Sequence, residues 1–226
     1  MSELFTDQLF LTGKKIWDAQ YEHPFIQGIQ DNTLPISKFM YWVKQDYLFL
    51  IDYGKLFSIA VVKSPDIRSS MQFSNLAYET FSTEMDLHRN FAKEFGISEL
   101  ELESERKSPT CSAYTDFLLR TGSIGGYHEL LASLLPCMWG FYDVGLRLKV
   151  NISTIDRDKR YDNFIEQYSS NDFRDLVEIC KGMVNQCADR SAAESKQEMV
   201  DVFSKSCQYE YLFWDMAWKE ERWPIS

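Results

Sequence analysis

Two carboxylates in this sequence interrupt apolar helical stripes. Asp46 follows Trp42 by four positions and precedes Phe49 by three, which puts the three side chains on one face of a helix. Glu210 lies three positions before Phe213 and occupies an apolar face in the same way. A buried carboxylate is costly unless it is paired or protonated. Two of them therefore indicate either a binding or catalytic role or interaction partners close by.

A thiol is the third candidate group. Cys137 lies three positions after Leu134 and four before Phe141, on the inward face of its helix, and it directly follows Pro136. A proline inside a helix removes one backbone donor, so we expect a kink beside the thiol. Free cysteines are usually small buried hydrophobes. Spacing alone therefore favours a packing role for Cys137.

The positions of the three histidines bear on whether this chain could hold a di-iron centre of the kind found in helical bundles. None of His23, His88 and His128 has a glutamate three positions before it, so the Glu-x-x-His pairs of carboxylate-bridged di-iron bundles are missing. Glu84 and His88 are four apart, which favours a pair on a helix surface. A less regular metal site stays open.

Long intervals between glycines and prolines, with apolar residues three and four apart, predict an all-helical protein. Pro35 is expected to begin the second helix, with Ser37 or Thr33 as a cap, and Gly96 to end the third. The charged stretch 99–107 is expected to be a solvated loop or a frayed end. The predicted helices are 3–21, 35–63, 66–95, 112–121, 126–149, 157–168, 171–189 and 192–221.

The composition limits domains and partners. A length of 226 residues predicts one domain spanning 1–226. The net charge of -10 would repel a phosphate backbone or an anionic membrane, so nucleic acid and membrane partners are not expected. The most apolar stretches are shorter than the ~18 residues of a spanning helix. Five cysteines without a CxxC pair predict reduced thiols and a cytoplasmic location.

Several segments together resemble one known family, and the agreement runs in order from about residue 5 to residue 222. The chain is similar to the TenA family, the thiaminase II enzymes of thiamin-pyrimidine salvage, and the LLPC segment places it with the cysteine-containing branch. The matching segments are HPFIQGIQDNTLP (23–35), Gln45-Asp46, EMDLHRNFAKEFGIS (84–98), SPTCSAYTDFL (108–118), LLPCMWGFYDVG (134–145) and YEYLFWDMAW (209–218).

The resemblance implies a haem-oxygenase-like helical bundle, usually a homotetramer, without a metal or an organic cofactor. It implies hydrolysis of 4-amino-5-aminomethyl-2-methylpyrimidine to the 5-hydroxymethyl pyrimidine and ammonia, with thiamin cleavage as a related activity. By position, Cys137 matches the family's nucleophile and Glu210 its acid/base. Asp46 matches the carboxylate that holds the aminopyrimidine, and Tyr114 and Tyr168 match tyrosines of the pocket. We therefore expect these five residues to line one enclosed pocket.

Two positions depart from the family pattern. The family often has tyrosine where this chain has Phe49 and Phe141, and the first of these hydroxyls is thought to help the thiol. Tyr47, Tyr53 or Tyr142 is a candidate to replace it, although adjacent helical residues point about 100° apart. Activity and substrate preference are open at these positions.

Two alternative functions are kept beside the hydrolase. One is a haem or di-iron oxidase on the same fold, which the missing Glu-x-x-His pairs disfavour. The other is a non-catalytic or weakly active pyrimidine-binding or regulatory module, which the absent hydroxyls at Phe49 and Phe141 favour.

Overall fold

A computed structural model describes residues 4–152 and 156–225 of the chain. Within these ranges the regular elements are all helical, which confirms the all-α prediction. The elements are α1 Phe5–Tyr21, α2 Pro24–Gln30, α3 Ile36–Lys63, α4 Ile67–Glu79, a π-helix Thr80–Glu84, α5 Met85–Glu94, α6 Glu99–Ser104, α7 Pro109–Ile124, α8 Tyr127–Asn151, α9 Lys159–Tyr168, α10 Asn171–Asp189 and α11 Ala193–Lys219.

The helices form two compact units. Of the described residues, unit 1 takes 4–34, 131–152 and 156–215, and unit 2 takes 35–130 and 216–225. The single-domain assignment of residues 1–226 stays a prediction.

In unit 2 the long helix α3 packs against α4, α5 and α7. Its inward residues include Phe39, Trp42 and Phe57, each buried to within 1% of complete. Because burying an aromatic side chain of this size contributes on the order of 2 kcal/mol, this row fixes the rotation of α3. The rotation decides which polar residues of α3 turn inward.

In unit 1 an aromatic cluster joins the first helix to later parts of the chain. The ring of Trp17 on α1 meets Trp139 of α8 at 4.8 Å and Phe203 of α11 at 6.0 Å between centroids. Such edge-on pairs add about 0.5–1.5 kcal/mol to the burial of their area. The cluster holds α1 against the helix that carries Cys137.

The predicted side-chain cap of α3 is wrong, whereas α7 begins with an ordinary serine cap. Pro35 occupies the N-cap position of α3 without a side-chain cap, and the hydroxyl of Ser37 instead donates to Glu220 at 2.8 Å.

The helix predicted over 112–121 begins earlier, at Pro109, as α7. Ser108 caps it through the Cys111 amide, and Pro109 suits the first helical position because it lacks an N–H.

The predicted helix 66–95 is interrupted. Asp66 caps α4 through the amide of Ser69, but the chain then widens into the π-helix before α5 begins. The end of α5 is as predicted, because Gly96 adopts a φ of 73° and donates its amide to Lys93. Glycine takes that left-handed conformation without the steric cost that a side chain brings.

Two short helices were not predicted. The first is α2, which begins after a histidine cap, since the amide of Phe25 donates to Nδ1 of His23. The second is α6, where a loop or frayed end was expected over 99–107. Ser98 and Glu101 form a capping box that satisfies the first amides of α6, and this local pairing outweighs the charge repulsion of the acidic run.

Candidate active site

The carboxylate of Asp46 is bonded to a buried imidazole. Oδ2 of Asp46 lies 2.6 Å from Nε2 of His88, and the other ring nitrogen lies 2.9 Å from the main-chain carbonyl oxygen of Glu84. His88 has no solvent exposure. The prediction of an exposed Glu84–His88 pair is therefore wrong, because His88 turns inward to Asp46.

The residue before Asp46 ties α3 to the loop that precedes α7. Nε2 of Gln45 donates to the carbonyl of Arg106 at 3.1 Å, and its Oε1 accepts from the amide of Ser108 at 2.8 Å. The thiol of Cys111 contacts the carbonyl of Gln45 at 3.6 Å. These bonds fix the backbone beside Asp46, and together with His88 they define how its carboxylate is held.

Three rings of unit 2 lie together, and one of them belongs to Phe49, which follows Asp46 by three positions on α3. Phe49 contacts Tyr114 of α7 at 5.1 Å and Tyr53 at 5.4 Å between ring centroids. All three are buried. The hydroxyl of Tyr47 accepts a hydrogen bond from Arg89 at 3.3 Å. Of Tyr47 and Tyr53, the second is the one in ring contact with Phe49.

Cys137 differs from its surroundings in unit 1. It is half-buried, whereas its neighbours along α8 on both sides are buried. The helix continues through Pro136. Part of the surface of Cys137 therefore stays accessible, as is also true of Cys187, whereas Cys111, Cys180 and Cys207 are buried.

Three of the other cysteines are fully buried. Burial raises the pKa of Cys111 and of Cys180 to about 12, and it raises the pKa of Cys207 as well. Cys187 is half-buried, and burial raises its pKa also. Since the thiolate is the nucleophile, these four groups are poorly suited to attack at neutral pH.

The predicted rings of unit 1 also meet. Phe141 lies 4.8 Å from Tyr168 and 4.8 Å from Trp214 between centroids. The contact with Tyr168 depends on Gly145, one turn further along α8. A Cβ at residue 145 would lie 2.7 Å from the carbonyl carbon of Tyr168, so only glycine allows α8 and the end of α9 to approach this closely.

Glu210 is buried, with 2% of its surface exposed. It lies on α11 one turn before Trp214, the ring that packs on Phe141. Besides burial, the charge of Glu210 raises the pKa of Cys207. The sequence-based expectation that this carboxylate points into the interior is confirmed.

Each unit thus brings part of the predicted set together. Unit 2 contains Asp46, Phe49 and Tyr114, with the last two in direct ring contact. Unit 1 contains the others, Cys137, Phe141, Tyr168 and Glu210, with Phe141 and Tyr168 in ring contact.

Two residues of these clusters, His88 and Trp214, were not among the predicted site residues. A signal for His88 was present: Met85, His88, Phe91 and Ala92 share one face of α5, and all four are buried. The same helical periodicity that predicts an inward-facing Asp46 also predicts an inward-facing His88.

Unit 2 also contains a cleft of about 520 Å³ whose lining includes none of the predicted site residues, although it includes Gln45, the residue before Asp46. Its lining includes Tyr41, Lys44, Gln45, Arg106 and Trp223. Part of the stretch 99–107, expected to be a plain solvated segment, thus forms a wall of this cleft.

Metal and membrane features can be assessed for residues 4–152 and 156–225. In these ranges no three histidine, cysteine or acidic side chains are grouped so that they could hold a metal ion. The helices described there include none with the length and hydropathy of a membrane span.

The chain is similar to known proteins over almost its whole length. It is 38% identical over 219 residues to the aminopyrimidine aminohydrolase of Halalkalibacterium halodurans, covering 97% of each chain. The fold is similar to the crystal structure of a TenA family transcription regulator from Silicibacter sp. TM1040, with a TM-score of 0.88, 26% identity, and coverage of 95% of this chain and 96% of that one.

A more distant structure identifies the fold class. A domain with a heme oxygenase-like fold from Shewanella denitrificans matches with a TM-score of 0.78 and 16% identity, covering 95% of this chain and 92% of that chain. The predicted haem-oxygenase-like helical fold is thereby confirmed. The model of the TENA/THI-4/PQQC family matches residues 13–220, and the chain belongs to this family.

Proposed function

We propose that this protein is an aminopyrimidine aminohydrolase of the thiaminase II type. Its substrate would be 4-amino-5-aminomethyl-2-methylpyrimidine, converted with water to the 5-hydroxymethyl pyrimidine and ammonia. The observation that carries the proposal is the 38% identity over almost the full length to a protein named for this activity. Thiamin, which carries the same pyrimidine, is proposed as a second substrate.

Cys137 is the proposed nucleophile. Its thiolate adds to the electron-poor pyrimidine ring and forms a carbon–sulfur bond, which makes the ring electron-rich enough to expel the amine from the methylene carbon. Water then adds to that carbon, and the carbon–sulfur bond breaks to return the thiolate. The partial exposure of this thiol supports the assignment, because the buried cysteines of this chain lack that access.

Glu210 is the proposed acid and base. The departing amine needs a proton, and the attacking water must lose one. A carboxyl group removed from bulk water is suited to both transfers, because desolvation favours its protonated form. The burial of Glu210 supports this role.

Asp46 is the proposed anchor for the exocyclic 4-amino group, which donates to a carboxylate oxygen. A charge-assisted hydrogen bond of this kind helps to fix the orientation of a flat ring. Tyr114, Tyr168, Phe49 and Phe141 are proposed to contact the faces and edges of the pyrimidine. Aromatic side chains suit this purpose because they bind flat ligands at low cost in conformational entropy.

A pyrimidine-binding regulator is the second candidate. One observation favours it: both Phe49 and Phe141 lack the hydroxyl that the family often has at these positions. A regulator would bind the pyrimidine tightly and turn it over slowly, whereas the hydrolase releases product repeatedly.

We further propose a homotetramer in the cytoplasm. Large apolar side chains are exposed along α4, including Ile67, Met71 and Tyr78, each at least 66% exposed. Closed symmetric assembly is the usual way in which soluble chains cover such surface. All five cysteines are free thiols, as a reducing compartment would leave them.

The test is incubation of the purified protein with the aminomethyl pyrimidine and, separately, with thiamin. The proposal expects ammonia and the hydroxymethyl pyrimidine from the first in many turnovers per chain. Binding of the pyrimidine by calorimetry without ammonia release would favour the regulator instead. A visible absorption spectrum of the same sample tests the haem or di-iron alternative.

A further inference from the structure

The bond between His88 and Asp46 defines where the hydrogen atoms of this pair lie. The carbonyl oxygen of Glu84 can only accept, so Nδ1 of His88, 2.9 Å away, carries a hydrogen. Nε2 faces Oδ2 of Asp46 at 2.6 Å. Without a hydrogen between them two lone pairs would repel each other at this distance, so the pair shares one proton.

The environment favours this arrangement. Burial alone lowers the pKa of the His88 imidazole, but the hydrogen bond and the negative charge of Asp46 outweigh burial and raise that pKa above its ordinary value. Glu84, at the end of the π-helix, adds a smaller contribution in the same direction. The rings of Trp42 and Phe91 lie 5.7 Å and 6.3 Å from the imidazole centroid and leave it little room to turn.

The π-helix gives the imidazole its second anchor. Glu84 ends the segment Thr80–Glu84, and its carbonyl oxygen receives the Nδ1–H bond. Inserted π-turns of this kind occur frequently at functional sites, because they change the rotation of the helix that follows. Here the rotated helix is α5, which carries His88 towards α3.

The other carboxylate oxygen of Asp46, Oδ1, is available to accept a hydrogen bond. Among residues 4–152 and 156–225, Oδ1 has no hydrogen-bond donor, although the side chain is only 7% exposed. If the shared proton lies on Nε2, Oδ1 belongs to a carboxylate. If it lies on Oδ2, Oδ1 is a carbonyl-type oxygen. Oδ1 can only accept in both cases.

We propose that His88 is a positioning residue for the reaction: it holds Oδ2 of Asp46 through the shared proton and thereby presents Oδ1 as a fixed acceptor for the 4-amino group of the pyrimidine. This inference rests on the proposed function. It assigns Asp46 to recognition of a donor on the substrate and leaves the proton transfers of catalysis to another group.

The experiment measures binding of 4-amino-5-hydroxymethyl-2-methylpyrimidine, the proposed product, by calorimetry between pH 5.5 and pH 9. Three variants are compared with the wild type: His88→Gln, Asp46→Asn and the double variant. Glutamine can still donate to Asp46 but cannot carry the charge. His128→Gln is the matched control, since it leaves the pair intact.

We expect wild-type affinity to fall as the pH rises through the raised pKa of His88, because the ring then repels Oδ2. His88→Gln should bind about tenfold more weakly below that pH and should lose this pH dependence. The double variant should bind no more weakly than Asp46→Asn alone, since residues that act through one interaction are not additive. His128→Gln should follow the wild type.

Unchanged pH dependence in His88→Gln, or additive losses in the double variant, would overturn the inference while the proposed function stands. Wild-type protein that neither binds this pyrimidine nor releases ammonia from the aminomethyl pyrimidine would overturn both. Should His88→Gln not fold, nitrogen-15 NMR of the wild-type histidines gives an independent answer at pH 7.5. The expected spectrum has a hydrogen on Nδ1 of His88 and a strongly deshielded one shared with Asp46, and a bare Nδ1 would overturn the inference.

Discussion

The ring of Tyr53 lies stacked against the ring of Phe49, with centroids 5.4 Å apart and planes 25° from parallel. Both side chains are buried. The family often has a hydroxyl at residue 49, and Tyr53 is the tyrosine of α3 in ring contact with that position. Restoring a hydroxyl at residue 49 tests whether its absence lowers the rate of the reaction.

Phe49→Tyr is expected to raise kcat by about three- to tenfold with little change in KM. One hydrogen bond that acts only in the transition state corresponds to about 0.5–1.5 kcal/mol. Steady-state kinetics on the aminomethyl pyrimidine provide the measurement. Phe57→Tyr is the control, since Phe57 also contacts Tyr53, at 4.6 Å, but lies two turns further along α3. Equal kcat in Phe49→Tyr and wild type would mean either that Tyr47 or Tyr53 already supplies the hydroxyl or that residue 49 does not act on the thiol. A lower kcat would indicate overpacking.

Cys137→Ser is expected to abolish turnover and to leave the fold and most of the pyrimidine affinity intact, because a hydroxyl is a far weaker nucleophile than a thiolate at neutral pH. Cys187→Ser is the matched control, as Cys187 is also half-buried. Turnover and circular dichroism are compared for both. Substantial turnover in Cys137→Ser would refute covalent catalysis.

Gly145→Ala is expected to destabilise the protein by about 1–3 kcal/mol and to lower kcat/KM, because the new methyl group meets the backbone of Tyr168, which cannot rotate away. Gly182→Ala is the control, since no atom lies within 4 Å of a Cβ placed there. That change should be neutral or stabilising by up to about 1 kcal/mol. Urea unfolding measures both, and equal stability of Gly145→Ala and wild type would contradict the close approach.

The raised pKa of His88 predicts how stability depends on pH. The contribution of the His88–Asp46 pair is complete below the unfolded pKa of about 6.5 and is lost as the pH rises through the raised folded pKa. The free energy of unfolding of the wild type should therefore fall across this window relative to that of His88→Gln. Urea titrations at pH 6 and pH 9 test this. A parallel pH dependence in both proteins would show that the folded and unfolded states bind this proton alike.

Light scattering at micromolar concentration is expected to give a mass about four times that of the 26.6 kDa chain, because symmetric closure is the common outcome for soluble chains. The measured mass should stay at the tetramer value throughout the micromolar range. A monomer mass at the higher concentration would contradict the proposed tetramer.

The amino-acid sequence by itself determined the helical class, most helix positions and the inward direction of Asp46 and Glu210. These features depend on local patterns: the period of apolar residues, proline at a helix start, and glycine at a left-handed position such as Gly96. Local signals of this kind act between residues a few positions apart, so they can be read without knowing the fold.

Tertiary structure alone decided how Asp46 is held. Its partner, His88, lies 42 positions away in the sequence, and the second anchor of the His88 ring is the carbonyl oxygen of Glu84, at the end of the π-helix. The close approach of Gly145 to Tyr168 is decided in the same way. A hydrogen bond or a backbone contact between distant segments depends on how whole helices pack, and no local period in the sequence encodes that packing.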